Sequence, residues 1–143
     1  MRTKEHNETP ALGCKIGKAY QILLGQLSTA LKEFGLDITT SEYLILRAIY
    51  NKEGQQQCEI AEIVGKDKAA VCRSIAGLEK KGLVRTETVS HKCLRVYLTD
   101  ISREIEPRIM EVAMMRHNAL TDLVSKQEIE IFTHILDKII TSN

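Results

Sequence analysis

Residues 67–99 read DKAAVCRSIAGLEKKGLVRTETVSHKCLRVYLT, and the periodicity of the apolar residues changes once within this stretch. In its first part Val71, Ile75 and Leu78 are spaced at i, i+4 and i+7, so they share one face of a predicted helix. Its second part is rich in β-branched and aliphatic residues on both sides of a short polar loop at residues 90–92. The stretch therefore predicts a helix that is followed directly by a β-hairpin.

A shorter helix is predicted just before this stretch, from about Cys58 to Val64, with Gly65 at its end. The next helix begins at the N-cap candidate Asp67 and ends at Gly82. Two short helices joined by a tight glycine turn and followed by a hairpin are the arrangement of a winged helix-turn-helix.

Two more helices are predicted upstream of this unit. From Leu12 to Phe34 the apolar residues recur at steps of three and four, and Gly35 stands where a C-cap glycine belongs. Thr39, with Glu42 three residues later, has the spacing of a capping box that opens the second helix.

Two further helices are predicted downstream. A helical pattern runs from near Asp100 to about Val124, and Pro107 must either kink this helix or mark its true start, because an interior proline loses a backbone hydrogen bond. Ser125 and Glu128 form another capping box at the start of the last helix. The residues that this helix is expected to bury are Ile129, Phe132, Ile135, Leu136 and Ile139.

The predicted fold class is mainly α with a small β-hairpin wing, in a single domain spanning residues 1–143. A winged helix-turn-helix lobe occupies residues 38–99, and terminal helices occupy residues 12–34 and 100–141. These helices carry more large apolar residues than one small lobe can cover, and soluble monomers rarely expose such a patch. We therefore expect them to form a dimer interface; the alternative is that they pack on each other within one chain.

The composition is that of an ordinary globular protein, with 43% hydrophobic and 27% charged residues and a net charge of +1. No apolar run is long enough to span a bilayer, so no membrane partner is expected. The first ten residues lack the apolar stretch of a secretory signal, so a cytoplasmic location is expected. In that reducing compartment the four widely spaced cysteines are expected to be free thiols.

The charge is distributed unevenly along the chain. Residues 56–99 carry 8 basic and 5 acidic side chains, whereas residues 100–143 carry 5 basic and 8 acidic ones. A confined basic stretch of this kind is typical of a phosphate-binding surface, although a solvated charged face is the alternative.

The polar side of the helix that follows Asp67 carries Lys68, Ala69, Cys72 and Arg73, opposite the apolar face. Short side chains allow close approach to a major groove, and an arginine can read a base or bind a phosphate there. The alternative is an ordinary amphipathic surface helix.

No metal, cofactor or catalytic site is predicted. The histidines at positions 6, 91, 117 and 134 show no metal-ligand spacing with the cysteines, and His91 with Cys93 is only a lone pair in the hairpin. No Ser-His-Asp pattern, paired carboxylates or glycine-rich phosphate loop is present, so the chain is not expected to be an enzyme.

Several of these motifs together resemble the MarR family of bacterial winged helix-turn-helix transcriptional regulators. The matching segments are ITTSE at 38–42, CEIAEIVG at 58–65, the whole of 67–85 and VYLT at 96–99. The most specific pieces are LEKKGLV at 78–84 and Leu98-Thr99, and the resemblance extends over about residues 12–141.

The resemblance implies a symmetric homodimer, held by the terminal helices, whose two recognition helices enter successive major grooves of double-stranded DNA. The operator would be pseudo-palindromic, with half-sites about 10 base pairs apart. The function implied is that of a sequence-specific transcriptional regulator, most simply a repressor, that a small-molecule or redox signal releases or modulates. The alternative is a dimeric winged-helix protein-interaction module that has lost specific DNA binding.

Roles at the DNA follow from position on the helix and hairpin. Arg73 is the candidate for a base or phosphate contact, and Lys66 and Lys68 are expected to bind phosphates at the start of that helix. The full set of predicted DNA-binding residues is Lys66, Lys68, Ala69, Cys72, Arg73, Arg85, Lys92 and Arg95.

The three hairpin cations in this set cannot all face DNA, because alternate strand residues point to opposite faces. For Arg85 the alternative is a structural ion pair with Glu79 or another acid. The family's wing usually carries an acidic residue and two arginines where this chain has Ser90-His91-Lys92, which weakens the case for minor-groove insertion. A glycine usual after the closing Leu-Thr is replaced by Ser102, which affects only how the long helix begins.

Two sites for a signal are implied by the resemblance. Family effectors bind between the dimer helices and the DNA-binding lobe, where Tyr20, Met114 and Met115 are candidate lining residues; a methionine pair is also common as core filler. Cys14 has a place similar to that of the reactive cysteine in family members that sense organic hydroperoxides, with a helix N-terminus nearby. The alternative for Cys14 is a structural thiol buried at the dimer junction.

Overall fold

The computed structural model describes residues 11–91 and 93–142, which form six helices and one three-stranded antiparallel sheet. In chain order the elements are α1 (Ala11–Glu33), α2 (Thr40–Asn51), β1 (Gln55–Gln56), α3 (Gln57–Val64), α4 (Lys68–Lys80), β2 (Val84–Ser90), β3 (Cys93–Leu98), α5 (Asp100–Thr121) and α6 (Lys126–Thr141). The predicted fold class, mainly helical with a small β-hairpin wing, is confirmed.

The predicted helix boundaries of the lobe arise from the expected caps. The Thr39 side chain accepts a hydrogen bond from the backbone N–H of Glu42, and the Glu42 side chain accepts one from Thr39 in return. Gly65 ends α3 with a φ of 68°, and Asp67 caps α4 by accepting a hydrogen bond from Ala70. Gly65 and Asp67 therefore set the two ends of the tight turn between α3 and α4.

The hairpin of β2 and β3 is joined by a third strand. Val84 pairs with Leu98 at the base of the hairpin, and an irregularity in register lies between Thr88 and Ser90. β1 pairs with β3 on the other side. β1 was not predicted because two residues are too few to show a strand period.

The hydrophobic core lies within the lobe and extends to one end of the terminal helices. The fully buried large side chains of the lobe include Ile45, Leu46, Ile49, Ile60, Val71, Ile75, Leu78 and Val96. Leu31 of α1 and Ile109 and Val112 of α5 join this core. Every buried side-chain nitrogen or oxygen within the described residues has a hydrogen-bond partner.

The terminal helices leave much of their apolar surface exposed within one chain. The structure describes all of α6, and none of its side chains is buried, so the expected burial of Ile129, Phe132, Ile135, Leu136 and Ile139 does not occur within one chain. α1 buries only Ala30 and Leu31, so the alternative, in which the terminal helices pack on each other within one chain, would leave most of the apolar face of α1 exposed. Apart from the residues that join the lobe core, much of the apolar surface of α1 and α6 has no cover from the described part of this chain.

α5 runs without interruption through Pro107, so that proline does not mark its start. Thr99 caps the helix, and Ser102 completes the capping box in place of the usual glycine, as expected for a residue that affects only how the helix begins. Among the described helices, none combines the length and apolar character needed to cross a bilayer.

Candidate nucleic-acid interface

The recognition-helix candidate α4 separates its residues onto two faces as predicted. Val71, Ile75 and Leu78 are buried against the lobe. The exposed residues on the other side include Lys68, Ala69, Cys72 and Arg73. The alternation of short and basic side chains therefore faces solvent as a continuous surface, which we call the reading face.

One predicted DNA-binding residue of the reading face, Cys72, makes a side-chain hydrogen bond within the chain. The thiol of Cys72 donates to the Gln57 side-chain oxygen over 3.2 Å, which joins α4 to the first turn of α3. Within the described residues, the side chains of Lys68 and Arg73 make no hydrogen bond or ion pair. Both basic side chains are therefore available to a phosphate or base edge.

Lys66, in the turn before α4, is partly engaged within the lobe. Its Nζ atom donates to the Ser41 hydroxyl over 2.9 Å, which ties the α3–α4 turn to the first turn of α2. A phosphate contact by Lys66 would have to extend or replace this hydrogen bond.

The two hairpin arginines that the structure describes lie on the same face of the sheet, away from the core. Arg85 forms an ion pair with Glu87, two residues along β2, and its guanidinium lies 4.5 Å from the ring centre of Tyr97. Glu79, the alternative partner predicted for Arg85, instead accepts a hydrogen bond from Thr86. Residues two apart on a strand share a face, so Arg85 pairs with Glu87 and not with Glu79.

Arg95 is also engaged, because its guanidinium donates to the carbonyl oxygen of Gly54 over 2.7 Å. Lys92, the third predicted hairpin cation, lies outside the described residues. The described part of the wing therefore presents arginines that are already bonded within the chain, unlike Arg73 on α4.

The base of the wing is fixed by two residues that the sequence analysis did not identify. Glu53 accepts a hydrogen bond from the backbone N–H of Leu98 and pairs with Arg103 of α5, and these contacts lower the pKa of its carboxyl, the Leu98 bond most strongly. Tyr50 donates to the carbonyl oxygen of Ser102 over 2.7 Å, and burial, aided by the charge of Glu106, raises the pKa of Tyr50 to about 12.

The predicted effector residues do not come together. Tyr20 borders a cleft of about 220 Å³ that Tyr43 and His117 also line. Met114 lines a neighbouring concavity with Arg47 and His117. Met115 lies in a third one, beside Ile22 and Gln26. One chain therefore supplies parts of several concavities, not a single pocket built from these three side chains.

All four cysteines are free thiols, as expected. Cys14 lies in the first turn of α1 and is exposed in one chain, so its burial as a structural thiol would need a second copy at the dimer junction. In residues 11–91 and 93–142, no group of three or more His, Cys, Asp and Glu side chains is arranged to hold a metal ion.

Comparisons with known proteins agree with this geometry. Residues 36–92 match the MarR family. The transcriptional regulator HosA of Escherichia coli O157:H7 is 28% identical over 108 residues, which cover 74% of this chain and 80% of HosA.

Solved structures share the fold at lower identity. A cysteine-to-serine mutant of MarR from E. coli, complexed with operator DNA, has a TM-score of 0.82 at 23% identity, covering 93% of this chain and 96% of that one. CouR from Rhodococcus jostii RHA1, bound to p-coumaroyl-CoA, has a TM-score of 0.80 at 19% identity, covering 93% and 94%. This chain is therefore similar in sequence to the MarR family over residues 36–92, and it has the winged-helix fold of these solved structures.

Proposed function

We propose that this chain is a sequence-specific DNA-binding repressor that acts as a homodimer and is released by a small-molecule or redox signal. The observation that carries the proposal is the reading face of α4. Its side chains are exposed, its two cations Lys68 and Arg73 are uncommitted within the described residues, and its opposite side is anchored in the core. A rigid helix with such a face matches the geometry that major-groove recognition requires.

The proposed dimer rests on the uncovered terminal helices. Phe132 and Ile135 of α6 remain about half exposed and, with Leu123, line a groove of about 460 Å³ at the α5–α6 corner. A second copy would cover this groove and the exposed apolar residues of α1 in an interface of the same surface on both subunits. The two reading faces would then be related by a two-fold axis, which requires a pseudo-palindromic operator.

A small molecule is the first candidate for the signal. The cleft beside Tyr20 lies between α1, α2 and α5, so a ligand there would contact both the terminal helices and the lobe. A ligand that prefers one arrangement of these parts shifts the DNA-binding equilibrium toward it. CouR was solved with p-coumaroyl-CoA bound, which is a precedent for a small-molecule ligand on this fold.

A protein-interaction module that has lost DNA binding is the second candidate. One observation favours it: Arg85 and Arg95 of the wing are both bonded within the chain. Under this candidate the reading face would tolerate substitution with no effect on DNA affinity.

The test is binding to the chain's own upstream region, measured by electrophoretic shift with wild type and Arg73→Ala. We expect this substitution to weaken specific binding by about 1–3 kcal/mol and to reduce discrimination among operator variants. Lys80→Ala, at an exposed position of the same helix, is the matched control and removes one charge without altering discrimination. If wild type shows no preference for any DNA sequence, the result supports a protein-interaction module in place of a DNA-binding repressor.

Redox release is tested at Cys14 separately. A protein–DNA complex is treated with an organic hydroperoxide, and wild type is compared with Cys14→Ser. Release of DNA by wild type alone would support Cys14 as the sensor, because its exposed thiol is then the group oxidised. If neither protein releases DNA, redox sensing at Cys14 is excluded and a small molecule remains the signal.

A further inference from the structure

A buried carboxylate lies beside α4. Glu42, in the first turn of α2, is only 5% exposed. Its Oε1 atom accepts hydrogen bonds from the backbone N–H of Thr39 over 3.0 Å and from Nζ of Lys81 over 2.7 Å. A buried charge needs such partners, since removing one of them leaves the other uncompensated.

Lys81 connects this carboxylate to the end of α4. It is the residue that follows the last residue of α4, and its Nζ atom also donates to the carbonyl oxygen of Asp37 over 2.9 Å. One ammonium group therefore binds the loop before α2 and the first turn of α2 at the same time. The C-terminal end of α4 is fixed to both.

Gly77 brings the middle of α4 against the same carboxylate. A Cβ atom at position 77 would lie 2.6 Å from Oε2 of Glu42, which is closer than such atoms approach. Glycine inside a helix costs stability relative to alanine, so its presence here is explained by the close approach that it permits. Gly77 lies one helical turn after Arg73, so a displacement at Gly77 is carried directly to the reading face.

We infer that Glu42, Gly77 and Lys81 are positioning residues for DNA recognition. Gly77 sets how closely α4 packs on α2, and the Glu42–Lys81 pair sets the direction of its C-terminal end. Together they fix the depth and angle at which the reading face is presented to the major groove. This inference rests on the proposed function, since it concerns how α4 reads DNA.

The experiment compares affinity for two duplexes of equal length: one that wild-type protein selects from a random pool, and one of unrelated sequence. Gly77→Ala places a methyl group against Glu42. We expect affinity for the selected duplex to fall about tenfold, the scale of effects transmitted through packed networks, with little change on the unrelated duplex. A loss of overall stability alone would lower both affinities in proportion.

Two further variants test whether a loss of sequence preference arises from the contacts of the Glu42 carboxylate. Glu42→Ala removes the carboxylate that the new methyl group would meet, so Gly77→Ala should have a much smaller effect in that background. Lys81→Met should reduce the preference for the selected duplex, whereas the control Lys80→Met, with the same charge loss at an exposed neighbour, should lower both affinities alike.

The outcomes are distinct. Unchanged preference in both Gly77→Ala and Lys81→Met would overturn the inference while leaving the proposed function intact. Failure of wild type to select any duplex would overturn the proposed function and this inference with it. If Gly77→Ala does not fold, the comparison of Lys81→Met with Lys80→Met decides.

Discussion

The lobe and the terminal helices place their apolar side chains in opposite environments. In α2 the residues Ile45, Leu46 and Ile49 are fully buried, whereas in α6 Phe132 and Ile135 are 51% and 47% exposed. Both helices are amphipathic and both begin with a complete capping box. The lobe therefore completes its core within one chain, whereas the terminal helices leave large apolar side chains exposed, which the proposed dimer would cover.

The largest effect is expected from a charge placed on the uncovered face. Phe132→Asp should raise the dissociation constant of the dimer by about a thousandfold or more, because the buried charge enters the interface twice. Sedimentation velocity over a range of concentrations measures this. Deleting residues 126–143 should likewise leave monomeric or aggregated material that does not bind DNA.

Thr133→Asp is the matched control for Phe132→Asp, since it places the same charge one position along α6 on a polar residue. The assignment of the interface to α6 fails if Phe132→Asp remains dimeric, or if the truncated chain is a folded monomer that retains specific DNA binding.

The next prediction concerns how the stability of each region depends on protein concentration. Ile49→Ala should lower the free energy of unfolding by about 2–5 kcal/mol, because it leaves a cavity in a closed core. The midpoint of its urea transition, relative to wild type, should shift equally at all protein concentrations. For Ile135→Ala the loss should grow as the protein is diluted, because that side chain would be covered only in the proposed dimer.

A result in which both variants respond to dilution in the same way would show that the lobe also depends on the second copy. The conclusion that the lobe completes its core within one chain would then be wrong.

The fold of the lobe could be predicted because its signals are local. Asp67, Gly65 and the Thr39–Glu42 box each act over three or four residues, so their meaning is the same wherever the helix packs. The apolar stripe of α6 could also be predicted, but a stripe does not reveal which chain covers it. Phe132 is therefore exposed in one chain, and its predicted burial depends on a second copy.

The parts of the site that could not be predicted depend on residues far apart in sequence. Glu53 reaches Leu98 across 45 positions, and Tyr50 reaches Ser102 across 52. The Arg85–Glu87 pair is local, yet choosing it over Glu79 requires knowing that residue 85 lies on a strand and which face it occupies. Such contacts follow from the assembled topology and leave no periodic signal.

The smallest expected effect is a difference in acid sensitivity between one carboxyl in each region. The backbone N–H of Leu98 lowers the pKa of Glu53 in the lobe, and the backbone N–H of Ser125 lowers the pKa of Glu128 in α6. A carboxyl whose pKa is lowered by folding contributes stability above its ordinary value of 4.5, and the contribution is lost as the pH falls through the folded-state pKa. Both groups are largely exposed, so the effects should be small.

Glutamine can still accept these hydrogen bonds but does not titrate, so Glu53→Gln and Glu128→Gln should each flatten the decline of Tm between about pH 5 and pH 3. For Glu53→Gln the flattening should persist on dilution, because this carboxyl joins β3 and α5 within one chain. For Glu128→Gln it should weaken on dilution, because the capping box stabilises a helix whose apolar face would be covered only in the proposed dimer. Thermal melts at two protein concentrations across this pH range distinguish the cases. Equal behaviour of the two variants on dilution would contradict the division between a self-contained lobe and partner-dependent terminal helices.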